Sequence, residues 1–404
     1  MSKWNGEIPV LIVGGGMISQ EVILPTVFQE RKLGRVGEVL VASRRPDTIR
    51  KIRETFPKEN FAGYPDPAST PDGKSCPNAY KDALAKLGPH GVVIVATPDH
   101  LHTPVIMDAI AAERDVVCQK PLCLKVQEAH DIDAAAKEKG IYVYTDYHKR
   151  HDRAIRSARY RYRQGWLGEM LHGHAWIEEK REMALDVFAR WCEQSSSFEY
   201  IGVHYADAYF FITGLKPKRV VAFGQKKFLP KHGKNAYDAV QATIEWEDGS
   251  VLWIQTSWVC SEHNSALTNQ GLQLSGTEGE YWADHKDRNL HYVTQKGGFE
   301  HYNPNFFKAY DDWDEDGAAQ YVGYGYDSIV QGLNDVRVIE QATAGLTAAK
   351  RLTKRRKMVA ALENKRPLPS QALIGTTINE AVRLSVDNGS RFVAFDEKFF
   401  PHLE

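Results

Sequence analysis

The sequence has little with which to build a cross-linked, membrane-spanning or polyanion-binding protein. Its five cysteines among 404 residues (Cys76, Cys118, Cys123, Cys192 and Cys260) form an odd, scattered set with no C-x-x-C spacing. Such a set makes neither a disulfide framework nor a thiolate zinc site, and reduced thiols in a cytoplasm are the expectation. No metal set stands out either, because His100 and His102 have no acidic or thiol partner in register. The apolar runs are far shorter than a bilayer span, and the opening stretch MSKWNGEIPV has neither the basic region nor the apolar core of a leader peptide. With 51 Lys and Arg against 52 Asp and Glu, the formal charge is −1, too little for bulk attraction to nucleic acid or an anionic membrane. A small-molecule partner remains, for a chain long enough to form two domains.

What the sequence does have is PVLIVGGGMISQE at residues 9–21. A short apolar run enters three glycines, and a helix pattern follows from Met17 to about residue 29, as a Rossmann nucleotide site requires. Gly14 permits a turn with positive φ, and Gly16 lets a pyrophosphate approach the backbone and rest on the helix N-terminus beside Met17 and Ile18. Ser19 stands where G-x-G-x-x-G has its third glycine, and its side chain is expected to push helix and strand slightly apart. A second apolar run at residues 39–42 ends in Ser43, Arg44 and Arg45, where the adenosine ribose would lie. No carboxylate for a 2′-hydroxyl is found there, since Glu38 is at the wrong end of the strand. One hydroxyl and two guanidiniums suit a 2′-phosphate, so NADP is favoured as cofactor, with NAD the alternative.

Buried strands and amphipathic helices then alternate to about residue 150, which indicates a doubly wound parallel sheet. Its strand ends would gather Gly14, Ser43, Thr97, Lys120 and Tyr147 at one crevice. Beyond residue 151 the grammar changes. Strand-like stretches at 171–178, 219–228, 239–246, 251–258 and 271–275 follow one another with short turns, and two late helices are expected at 327–357 and 373–388. The expected fold is α/β. An N-terminal Rossmann domain (1–150) precedes an α+β domain (151–404) with a large open, mainly antiparallel sheet, and the last helices have the option of packing back on the first domain. The basic run 354–357 reads as a solvated helix end without function. Residues 303–326, rich in Asn, Asp, Gly and aromatics, suggest a structured loop over the cleft or at a subunit contact.

The chain resembles the Gfo/Idh/MocA oxidoreductases over nearly its whole length. The resemblance rests on GGGMIS at 14–19, VATPDHLH at 95–102, QKPL at 119–122, YHKRHD at 147–152, GVHYAD at 202–207 and AVRLSVDNG at 381–389. It implies a nicotinamide-dependent dehydrogenase of sugars or cyclitols. A cytoplasmic location follows from the cysteine pattern, and the open face of the broad C-terminal sheet favours a homo-oligomer (dimer or tetramer). Thr97, Pro98, His102 and Gln119 would lie on the nicotinamide side. Lys120 matches the lysine of the family's E-K-P motif, with Gln119 in place of Glu, a neutral amide that removes a negative charge beside the lysine. Oxidising a secondary alcohol needs a proton acceptor and a positive donor for the developing alkoxide, and Lys120 can serve as either. His204 matches the family's acid or base in D-x-x-x-H-x-x-D, where this chain has Tyr200 first and Asp207 last. Tyr147, Arg150, Asp207 and Asp238 are candidate substrate contacts, and Trp191, Tyr237 and Trp258 could stack on a sugar ring. Relatives with Tyr before the histidine include glycosidases that oxidise a sugar only transiently on a retained nicotinamide. That leaves redox-neutral cleavage, and a non-catalytic NADP sensor, as the other readings.

Overall fold

The computed structural model describes residues 6–264, 266–310 and 320–404. They fall into two compact units. One takes the described residues within Met1–Leu122, Glu128–His148 and Phe307–Gln371, the other those within Cys123–Gln127, Lys149–Phe306 and Ala372–Glu404.

The first unit alternates β1 (Ile8–Val13), α1 (Leu24–Lys32), β2 (Val36–Ala42), α2 (Pro46–Thr55), β3 (Ala62–Tyr64), α3 (Ala79–Lys86), β4 (Val92–Val95), α4 (His102–Ala111), β5 (Asp115–Gln119), α5 (Val126–Lys139) and β6 (Val143–Asp146). The strands form one parallel sheet in the order β3-β2-β1-β4-β5-β6. Every residue of β4, β5 and β6 is buried, and apolar residues fill all of β4, the middle of β5 and the start of β6, as in a sheet whose two faces are both covered by helices. The order reverses beside β1, so the loops after β1 and β4 open the crevice where doubly wound sheets bind ligands.

Past β6 the elements are α6 (Arg153–Arg163), β7 (Met170–Lys180), α7 (Val203–Thr213), β8 (Pro217–Gln225), β9 (Ala239–Trp246), β10 (Val251–Cys260), β11 (Thr268–Gly276) and β12 (Glu280–Asp284). Two small hairpins follow, β13 (His291–Thr294) with β14 (Gly298–His301) and β15 (Lys308–Tyr310) with β16 (Gln320–Val322). The chain closes with α8 (Tyr324–Thr343), α9 (Ala348–Ala360), α10 (Pro369–Asp387), β17 (Val393–Phe395) and β18 (Pro401–Leu403). The second unit is built on an eight-stranded sheet, β12-β11-β7-β10-β9-β8-β17-β18, in which only the β7–β10 pair is parallel. Strand β9 alternates strictly between partly open and buried positions, as a sheet with one covered face requires. No helix among the described residues is long and apolar enough to cross a membrane.

Three local expectations change. The helix after the glycines starts at Met17 and Ile18 and passes through a π turn at Ser19–Ile23 before α1, with Pro25 just inside α1, where its missing N–H would break a regular ladder. The helix expected at 327–357 is two helices, α8 and α9, because Ala344 turns extended and Gly345 takes φ +74°. The basic run is not wholly solvated. Arg355 is buried, pairs with Asp115 and Glu340, and donates through Nε to the Gly140 carbonyl at 2.9 Å. Two buried carboxylates need a cation, and the helical period turns this one residue of the run inward. Of the stretch 303–326, residues 311–319 lie outside the described residues and the flanks form β15 and β16.

Candidate active site

In the first unit the predicted cofactor residues meet at the carboxyl ends of the parallel strands. Gly14 has φ +114°, and a Cβ there would lie 2.2 Å from the Ala96 carbonyl oxygen, so only glycine lets β1 and β4 approach so closely. Gly16 is the opposite case. A Cβ there would meet nothing within 4 Å, which leaves an open cradle in front of the helix start at Met17 and Ile18. Ser19 is fully buried, and its hydroxyl donates to the Gly14 carbonyl at 2.6 Å. The Ser19 side chain is thus turned back onto the end of β1, at the residue where the π turn begins.

Ser43 directly follows β2, Arg44 is exposed with its guanidinium 3.4 Å from Ser75 Oγ, and Arg45 directly precedes α2. At the end of β4, Thr97 Oγ1 is buried and makes no hydrogen bond to the described protein, and Pro98 leads into a single 3-10 turn. An open glycine cradle, a helix N-terminus and an unsatisfied buried hydroxyl together fit a dinucleotide. His102 serves differently. Its Nδ1 lies 2.7 Å from the Pro121 carbonyl and its Nε2 2.9 Å from the Thr97 carbonyl, so it ties the loops after β4 and β5 together. Burial pushes its pKa down, against the pull of those two carbonyls.

Lys120 follows β5 and is 8 % exposed. The amide of the preceding Gln119 donates through Nε2 to Asp146 Oδ2 at 2.8 Å, across the β5–β6 register pair. Burial raises the Asp146 carboxyl to about 6, with Ser328, the Gln119 amide and the Lys120 charge each pulling it back. Asp146 did not emerge from the sequence. An acid at the end of a strand is ordinary, and only the register shows that it faces Gln119. Tyr147, the next residue, is fully buried.

In the second unit His204 sits in the first turn of α7 and is 4 % exposed. Three residues on, Asp207 is held by Arg150 through Nε at 2.8 Å and Nη2 at 2.6 Å, both partners buried. These two were expected to contact substrate. Their charges form a buried ion pair, and the pair pins the first turns of α7, which carry His204. Asp238, another of the candidate substrate contacts, also has partners within the protein. Its carboxylate accepts from the backbone N–H groups of Lys227, Phe228 at 2.6 Å and Leu229 at 2.7 Å, which caps the turn after β8.

Tyr200 lies in an aromatic box, its ring 4.7 Å from Phe188, 5.3 Å from Trp191 and 6.2 Å from Trp258. Trp258 is fully buried and donates to Glu179 Oε2 at 3.0 Å, so it is a wall of this box from within the core. Trp191 is partly exposed, and the Tyr237 hydroxyl donates to Asp387 at 3.1 Å. Lys149, one residue before Arg150, is completely buried, with Nζ 2.5 Å from Gln270 Oε1 and 4.8 Å above the Tyr205 ring.

Residues 8–147 match the oxidoreductase family model GFO_IDH_MocA, described as an NAD-binding Rossmann fold, and residues 155–282 match the GFO/IDH/MocA C-terminal domain. Among similar proteins, 1,5-anhydro-D-fructose reductase of Ensifer adhaerens is 25% identical over 199 residues, 46% of this chain and 55% of that protein. The 2,7-anhydro-N-acetylneuraminate hydratase of Escherichia coli is 26% identical over 179 residues, 43% of this chain and 47% of that protein. The chain thus spans about half the length of the curated relatives it matches. Among solved structures, an inositol dehydrogenase homolog from Azotobacter vinelandii, complexed with NADH and myo-inositol, superimposes with a TM-score of 0.68 at 20% identity. That match covers 96% of this chain and 98% of the other, a likeness of fold. On the two family domains and the shared fold, the chain belongs to the Gfo/Idh/MocA oxidoreductases, with an NAD-binding Rossmann domain and that family's C-terminal domain.

Proposed function

We propose that the protein oxidises a secondary hydroxyl of a sugar, glycoside or cyclitol, or reduces the corresponding ketone, with NADP preferred over NAD. The observation that carries this reading is Lys120, nearly buried at the end of β5 in the same strand-end row as the Gly14–Gly16 cradle. When bound, the nicotinamide supplies the hydride acceptor or donor. The chain supplies the rest. Gly14, Gly16, Met17 and Ile18 hold the pyrophosphate, Ser43, Arg44 and Arg45 the adenosine end, and Thr97 and Pro98 border the nicotinamide. In the first unit Lys120 holds and releases the hydroxyl proton. In the second unit, taken by itself, His204 stands at the position that the resemblance gives to an acid or base, Tyr200 has a hydroxyl able to donate to a substrate oxygen, and Arg150 with Asp207 fixes the helix that carries His204.

The reading is supported by relatives named for anhydrosugar and glucoside chemistry, among them a D-glucoside 3-dehydrogenase of Escherichia coli. A second reading, redox-neutral turnover on a retained nicotinamide, is favoured by Tyr200 and by the hydratase among the relatives, since hydration changes no net oxidation state. Denaturing the purified protein and weighing any released nucleotide separates the two. An empty site that binds NADP at least tenfold more tightly than NAD supports the dehydrogenase, and Arg44→Ala should then weaken NADP roughly tenfold with little effect on NAD. Stoichiometric retained nucleotide, with turnover of glycosides and no added cofactor, supports the second reading.

We further read the open face of the eight-stranded sheet as the surface through which two copies pair. A single register row places Trp282, His174 and Trp253 on one face, with Phe223 two residues from the same row, and Trp282, Trp253 and Phe223 are all exposed.

A further inference from the structure

We propose that Asp146 is the countercharge of the Lys120 site, a positioning carboxylate that acts on Lys120 from one strand away. The geometry is specific. Gln119 and Asp146 are register partners at the carboxyl ends of β5 and β6, both buried, and joined by the 2.8 Å bond from Gln119 Nε2 to Asp146 Oδ2. Lys120 is the next residue after Gln119, nearly buried at the same strand end, and its positive charge is one of the influences that draw the Asp146 carboxyl back down against burial. Among the described residues, the groups that act on Asp146 include the Gln119 amide and Lys120 from the end of β5 and the Ser328 hydroxyl from α8. A carboxylate buried this fully, beside one amine and two neutral donors, is kept only if it is hydrogen-bonded and paired.

The two charges are linked in both directions. With Asp146 ionised, the Lys120 ammonium is stabilised and Gln119 is held by a charge-assisted bond. When Asp146 takes a proton, the ammonium loses its partner and the proton affinity of Lys120 falls. Because the Asp146 carboxyl is lifted to about 6, this exchange falls near neutral pH, where the acid–base residue of a dehydrogenase must work.

The inference rests on the reading of Lys120 as the proton-handling group, so its test is read without substrate. NMR of the full chain carrying ¹³Cε-lysine, with the Lys120 resonance assigned by its loss in Lys120→Arg, gives the Lys120 midpoint directly. Asp146→Asn is expected to lower that midpoint by about one pH unit, a tenfold fall in proton affinity, and the charge-moving double variant Gln119→Glu/Asp146→Asn to return it toward wild type. If Asp146→Asn does not fold, the same coupling is read from the other side, because Lys120→Met must raise the Asp146 midpoint in ¹³Cγ-aspartate spectra by an equal amount. A Lys120 midpoint unchanged by Asp146→Asn, or an Asp146 midpoint unchanged by Lys120→Met, overturns the proposal. Full turnover in Lys120→Ala would instead overturn the catalytic reading of Lys120 while leaving the measured coupling in place.

Discussion

Two lysines with opposite fates show how much a single side chain's surroundings decide. Lys120 ends a parallel strand beside a buried carboxylate and an amide, where an amine can hold a proton against a developing alkoxide. Its replacement by alanine should lower kcat by ~10²-fold or more while the affinity for nucleotide changes little, as isothermal titration and steady-state kinetics would show. Lys149 is buried among Gln270, Tyr205 and His285, and that burial lowers its amine to about 7, against the pull of Asp152 and with Arg288 adding to the fall. An amine whose folded pKa lies below its unfolded value sheds its proton first in the folded chain. Between pH 7 and about 10 the unfolded chain therefore binds more protons, and this residue makes stability rise with pH. Urea unfolding at pH 7 and pH 9.5 should show the gain in wild type, and Lys149→Met should be at least as stable as wild type at pH 7 and lose that part of the gain. An equal pH dependence in both would show that Lys149 titrates as it does in the unfolded chain.

At the level of elements, Gly14 and Gly16 separate folding from binding. Gly14 joins two strands at a distance no Cβ tolerates, whereas Gly16 faces open space. Gly16→Val should keep a melting temperature near wild type yet abolish nucleotide binding, while Gly14→Ala should lower the melting temperature itself. Calorimetry with a nucleotide titration on each variant checks both. The nucleotide-binding strands and helices were legible in the sequence because each signal is local: an apolar run, a glycine pair, a proline opening α2. The α8–α9 break was missed because a helical pattern runs through Gly345 without a gap. The roles of Asp238, Asp207 and Arg355 were missed for another reason. Each is a charged residue whose partner lies elsewhere in the chain, and sequence alone gives no distance between a carboxylate and the group that neutralises it. Asp146 escaped notice on the same ground, although its partner Gln119 had already been singled out.

For the whole molecule, the broad sheet of the second unit sets the expectation of assembly. Sedimentation should find wild type heavier than its 45.6 kDa chain mass. Trp253→Glu places a charge in the middle of the exposed aromatic row and should shift the protein to the monomer without altering its circular dichroism; a wild-type monomer would overturn this use of the face. The first unit carries a different whole-chain consequence. Its sheet is finished from far downstream: Gly332 of α8 packs against Val117 and Tyr144, the Tyr142 hydroxyl donates to Asp335 at 2.8 Å, and Arg355 reaches Asp115 across 240 positions of sequence. As the chain leaves the ribosome, the six parallel strands therefore emerge with one flank bare and Asp115 still waiting for its cation. The nucleotide-binding unit closes only after almost all of the second sheet has been synthesised, so a truncated chain ending near residue 150 should fail to fold into a free-standing nucleotide binder.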